Sequence, residues 1–210
     1  MENKKQSLNY KIAVTGIMGA LTVLLAFTPI GYIQVGFVAI TLVHIPTVLA
    51  TVAAGLVPGV ACGAIFGVSS LIVAATSQAG LNPLFLNPAV SILPRVLFPI
   101  IVWGIYKLFD LIPHMPKTIS ASIGAALGTL AHTFLVMGSL FIIYAKRVME
   151  LLNMDITQIN PCKAFWIVTS ATIASNGIWE IIAATVLTAA VMGSIYAVNS
   201  KKSKISKMDK

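Results

Sequence analysis

LNPLFLNPAVSILPRVLFP, residues 81–99, sets one arginine, Arg95, inside an apolar run where a charge needs a reason. Two Asn-Pro pairs, Asn82-Pro83 and Asn87-Pro88, open the stretch. The residue before a proline is pushed toward extended geometry, and proline itself suits a first helical turn, so a helix is expected at or just after Asn87. From there Asn87, Ser91 and Arg95 recur every four residues and share one helix face. If the helix enters a bilayer near Pro88, Arg95 lies about 10 Å along it, below the headgroups and above the midplane. A cation at such a depth costs about 3 kcal/mol on insertion scales, so it is expected to face a cavity, a partner or an anionic ligand rather than lipid.

Composition supplies the bilayer. Hydrophobic residues make up 58% of the chain and charged residues 10%, with a mean hydropathy of +0.93. This is the profile of an all-α integral membrane protein and leaves too little polar surface for a soluble domain. At about 20 apolar residues per crossing, 210 residues hold six transmembrane helices in a single membrane domain, residues 1–210. The spans are expected over about 11–27, 41–57, 59–76, 88–109, 118–144 and 164–198.

The net charge of +8 does not point to nucleic acid. Lys4, Lys5 and Lys11 at one end, and Lys201, Lys202, Lys204, Lys207 and Lys210 at the other, put it in the tails. Lys107 and Lys117 flank a polar break on the same side, whereas Lys146, Arg147 and Lys163 lie opposite, offset by Glu150 and Asp155. By the positive-inside rule both termini are cytoplasmic. The first apolar run has no small-x-small cleavage pattern at Phe27-Thr28-Pro29-Ile30 and reads as a retained helix. Cys62 and Cys162 fall near opposite ends of the bilayer, too far apart for a disulfide, and read as small apolar fillers.

In span one, Gly16 and Ala20, with Ala13 on the same side, form a small-xxx-small face. It serves either internal packing or the docking of another helix. Thr28–Ile40 is expected to be an outer loop, with Tyr32, Ile33, Gln34 and Val35 alternating as a short extended segment. His44 then falls at the outer end of span two and reads as interfacial and solvated. Gly59, Gly63 and Gly67 argue for a close hairpin of spans two and three. In span five the row Ser120, Gly124, Gly128 leads on to His132, and span six carries Asn176 and Glu180 four apart.

The embedded polar set, Asn87, Ser91, Arg95, His132, Asn176 and Glu180, comes wholly from spans four to six, which divides the chain into a packing half and a polar half. Depth counting separates Arg95 from Glu180 by about 14 Å, beyond an arginine's reach. A lock of Arg95 on Glu180 is the alternative to a ligand site. The set has no metal-ligand spacing. No G-x-S-x-G, H-E-x-x-H or G-x-x-x-x-G-K occurs, so neither hydrolysis nor nucleotide use is assigned, and no cofactor is expected.

In this order, GIMGAL at Gly16–Leu21, TPIGYIQVG at Thr28–Gly36, HIP at His44–Pro46, the P-G-x-x-x-G turn at Pro58–Gly63, NPAVSILPR at Asn87–Arg95 and NGIWE at Asn176–Glu180 resemble the substrate-binding S component of energy-coupling factor (ECF) vitamin transporters. The resemblance covers about Lys11 to Val198. It implies an S-component-like six-helix bundle in a bacterial cell membrane, not an enzyme. It also implies a vitamin pocket from spans four to six and the outer loops, and a face of span one (Ala13, Gly16, Ala20) docked on a transmembrane coupling subunit that works with two ATPases. The combination resembles the pantothenate-type members most, with one departure: His132 stands where an Asn is expected before Thr133. On this reading Arg95 takes the vitamin's carboxylate, Asn87, Ser91, His132, Asn176 and Glu180 line the pocket, and Tyr32 and Gln34 close over it. Other cargoes of the same class are a pyridoxine-like, hydroxymethylpyrimidine, folate or riboflavin type. A self-sufficient carrier or an intramembrane enzyme is the reading from another class.

Overall fold

Ser7 starts the first helix by accepting a hydrogen bond from the Tyr10 N–H at 3.3 Å, which satisfies one of the orphan donors of a helix N-terminus. The computed structural model describes residues 7–35, 38–76, 80–155 and 158–208, and side chains within these except at 34–39 and 199–208. Helix α1 spans Leu8–Ala26. Strands β1, Tyr32–Val35, and β2, Val38–Thr41, then pair antiparallel with Tyr32 opposite Thr41. The alternation at 32–35 is thus one arm of a hairpin.

Helix α2, Ile45–Ala54, corrects the expected span over 41–57. Its ten residues are about 15 Å long, half of a hydrocarbon core of ~30 Å. β2 holds the chain extended through Thr41, and Gly55 ends the helix with φ 100°, a conformation open to glycine. Every residue of α2 is buried. A helix apolar all round belongs inside a protein, and Ile45, Val48, Leu49, Val52 and Ala53 form a core with Phe98, Val102, Ala121 and Met192.

Among the described residues five helical stretches are long and apolar enough to cross a membrane: Leu8–Ala26, Leu56–Thr76, Pro88–Asp110, Lys117–Leu151 and Pro161–Val198. Helix α3 is Leu56–Thr76. The Asn87 side chain caps the next helix by accepting from the Ala89 N–H, so it begins at Pro88 as expected, but it breaks at Ile92 into α4, Pro88–Ser91, and α5, Leu93–Asp110. Helix α6, Lys117–Leu151, runs past the expected end at 144 with a kink at Tyr144, so the third loop is shorter than 145–163. Helix α7, Pro161–Thr172, joins α8, Ile178–Met208, through a π turn at Ile173–Gly177. The apolar span ends at Val198 as expected, and the helix continues ten residues beyond it. Cys62 is buried and Cys162 is exposed, so only the first is an internal filler.

The glycine rows seat α5. Of the row in α3, only Gly59 faces α2, where an added Cβ would strike Thr51. A Cβ on Gly63 would strike the Arg95 carbonyl, and one on Gly67 would meet the Ile92 Cα at 2.8 Å. The expected hairpin of spans two and three is thus a minor use of the row. On the other flank, Gly128 lies against Val102 and Gly124 against Tyr106. The approach to Gly63 has a local cause. Pro99 has no N–H to give the Arg95 carbonyl four residues back, and that carbonyl oxygen lies against α3 at Gly63. Gly63→Ala is expected to lower stability by ~2 kcal/mol through overpacking. Gly16→Ala, where nothing lies within 4 Å, is expected to leave it unchanged. Thermal melts of the two variants in one detergent check the contrast.

Candidate functional site

Arg95 is buried at 6% exposure. Its Nη1 donates to the Val90 carbonyl at 2.6 Å, and its guanidinium carbon lies 5.0 Å from the Phe85 ring centroid and 5.4 Å from that of Phe66. Two aromatic faces offset part of the cost of burying the cation, ~1–2 kcal/mol each when desolvated. Neither supplies a counter-charge. Among the described residues Arg95 makes no ion pair, and its Nε is buried without a hydrogen-bond partner. Glu180 is not its lock: the Glu180 Oε1 accepts from the Thr41 N–H at 2.5 Å, tying the base of the hairpin to the start of α8.

His44 is fully buried, which overturns its reading as a solvated interfacial residue. The short α2 is the reason: with the chain extended to Thr41, position 44 enters the bundle instead of ending a span. Its Nε2 lies 3.2 Å from the Thr129 Oγ1, and that hydroxyl donates its one proton to the Ala125 carbonyl at 2.8 Å. The His132 ring stacks on that of His44, 5.7 Å between centroids at 15°, and packs on Phe98 at 5.1 Å and Phe66 at 5.6 Å. His132 Nε2 is buried with no partner.

Asn176 is buried in the π turn, an element that recurs at functional sites. Tyr32 is half-buried in β1, where burial raises the pKa of its phenol against the opposing pull of the Arg95 charge, leaving a neutral hydroxyl. Gln34 lies on the same strand, and its side chain falls outside the described residues. Asn87 caps α4 and donates from Nδ2 to the Tyr144 hydroxyl at 3.2 Å, and Ser91, fully buried, donates to the Phe85 carbonyl. Both are engaged in shaping the turn before Arg95. Among the described residues no three His, Cys, Asp or Glu side chains gather to hold a metal.

The division into a packing half and a polar half fails. His44 at the start of α2 stacks on His132, and Phe66 in α3 packs on both His132 and Arg95, so the site draws on both ends of the sequence. The signal for Phe66 is legible in the spacing: it follows Gly63 by three residues and so shares the face packed on α5. Away from the site, Ala13, Gly16 and Ala20 are exposed on α1, whereas Gly19 turns inward against Ile65. The small-residue face is therefore not spent on internal packing.

The profile of the family described as ECF transporter, substrate-specific component, matches residues 10–192 of the chain. No curated protein matches it.

Proposed function

The chain belongs to the substrate-specific components of ECF transporters, and from that premise we propose that its cargo is pantothenate, bound through its carboxylate at Arg95. As a member it is a multi-pass plasma-membrane protein that captures a vitamin-type substrate for import with the partners of an ECF module, and it is not an enzyme.

One observation carries the choice of an acid. A buried guanidinium packed on two aromatic rings, with no carboxylate paired to it among the described residues and an orphan Nε, is suited to a small anion entering from outside. Arg95 can offer the carboxylate a charge-assisted, bidentate edge, stronger than a neutral hydrogen bond. His132 Nε2, close to that charge, serves the amide or a hydroxyl, and Asn176 serves the rest of the polar backbone of the ligand. Tyr32 and Gln34, on β1, cover the cargo, and the Glu180 bond to Thr41 holds that strand pair in place. The topology that goes with this reading has six crossings and both termini cytoplasmic, the second crossing made inside protein by the ten-residue α2 together with the extended strand β2 before it. ATP is consumed by the two ATPases, reached through a coupling subunit that docks on Ala13, Gly16 and Ala20.

Mass spectrometry of small molecules co-purified with the overexpressed protein, followed by competition against labelled pantothenate, tests the cargo. Pantothenate is expected in the extract, displaced by unlabelled pantothenate and not by pyridoxine or hydroxymethylpyrimidine. Recovery of an uncharged vitamin, or displacement by one, replaces the cargo and removes the role given to Arg95.

A further inference from the structure

The Arg95 contact with Val90 depends on the residue just before the arginine. In a continuous helix the Val90 carbonyl accepts from the N–H four residues on, which is position 94. That position is proline, and proline has no N–H. Left without that helical partner, the carbonyl accepts instead from Arg95 Nη1 at 2.6 Å. This contact spans only five residues and folds the side chain back along its own helix, toward the break at Ile92. There the guanidinium meets Phe85, from the turn before α4, and Phe66 from α3. Three contacts on separate elements thus fix one rigid planar group, and its buried Nε is left with no partner.

We infer that Pro94 is a positioning residue for cargo binding: by withholding an N–H it dedicates the Val90 carbonyl to Arg95 and presets the guanidinium for an incoming carboxylate. The inference rests on the assignment of Arg95 as the acid-binding group and adds the reason that group is preorganised. A long, flexible side chain loses rotamer freedom when it binds, and a site that has fixed the rotamer beforehand avoids that loss at the moment of capture. A neutral carbonyl holds the guanidinium without neutralising it, whereas a carboxylate in the same place would compete with the cargo. The sequence Leu93-Pro94-Arg95 therefore solves two problems together, orientation and retained charge.

The test is a double-mutant cycle read by pantothenate titration of the purified full-length protein. Pro94→Ala supplies the missing N–H, which then shares the Val90 carbonyl with Arg95. Pantothenate affinity is expected to fall about tenfold, the weight of one hydrogen bond to a charged group. The same substitution placed in an Arg95→Ala background is expected to cause no further fall, because no guanidinium remains to be positioned. Pro94→Gly restores the same N–H without alanine's helix propensity and must behave alike. Additive losses, or no loss from Pro94→Ala, overturn the inference, as does a thermal melt in which both substitutions unfold the protein. If Arg95→Ala by itself leaves affinity unchanged, it is the acid-binding role of Arg95 that falls, and the two failures are told apart in one set of titrations.

Discussion

Arg95→Ala is expected to weaken pantothenate binding about 30-fold or more in detergent titration, ~2 kcal/mol, as for loss of a hydrogen bond to a charged group. The size follows from where the arginine sits. At 6% exposure it is out of bulk water, so its attraction for a carboxylate is little screened by salt. Arg95→Lys is a sharper probe than alanine. An ammonium keeps the charge but has neither the planar fork for a bidentate carboxylate nor the flat face that packs on Phe66 and Phe85. Lysine is therefore expected to recover only part of the lost affinity. Unchanged binding in the alanine variant takes Arg95 out of the site, and full recovery by lysine reduces its role to a point charge.

Gly16→Leu combined with Ala20→Leu is expected to bring vitamin uptake in cells to background while pantothenate titration and thermal stability stay at wild-type values. Both positions are exposed on α1, and an added Cβ at Gly16 meets nothing within 4 Å. Two leucines there face lipid at little cost to the free protein, since acyl chains are as apolar as leucine. A partner helix that approaches closely over small residues meets two branched side chains instead. The neighbouring Gly19 is the control, because its Cβ would lie 2.8 Å from Ile65, so Gly19→Leu is expected to damage the fold itself. Retained uptake in the double leucine variant moves the docking surface elsewhere.

About half of the site is legible in the sequence. The Asn87 cap, the helix through Arg95 and the row leading to His132 follow from chemistry that neighbours in sequence share: prolines that cannot donate, and small residues every four positions that let helices close in. The absence of an Arg95–Glu180 pair also follows, from counting depth along each helix. His44 does not. Its reading depends on taking 41–57 as a full-length span, and a run of apolar residues has the same composition whether it crosses lipid or sits inside a bundle. The glycine row of α3 reads correctly as a packing device, yet its spacing points in the main to the wrong neighbour, because a small-residue face states that something comes close and not what.

Hydropathy, proline and glycine act over a few residues, and that range is enough to specify an all-helical membrane protein with one buried cation and a small-residue face on its first helix. Only the packing of the helices in space makes α2 short and wholly enclosed, stacks His44 on His132, and ties the hairpin to Glu180 while Arg95 rests on Val90 beside two aromatic rings. Each of these is a meeting of groups, several of them far apart in the chain. Which partner a buried polar group finds depends on how the helices are placed in three dimensions, and local spacing does not contain that placement.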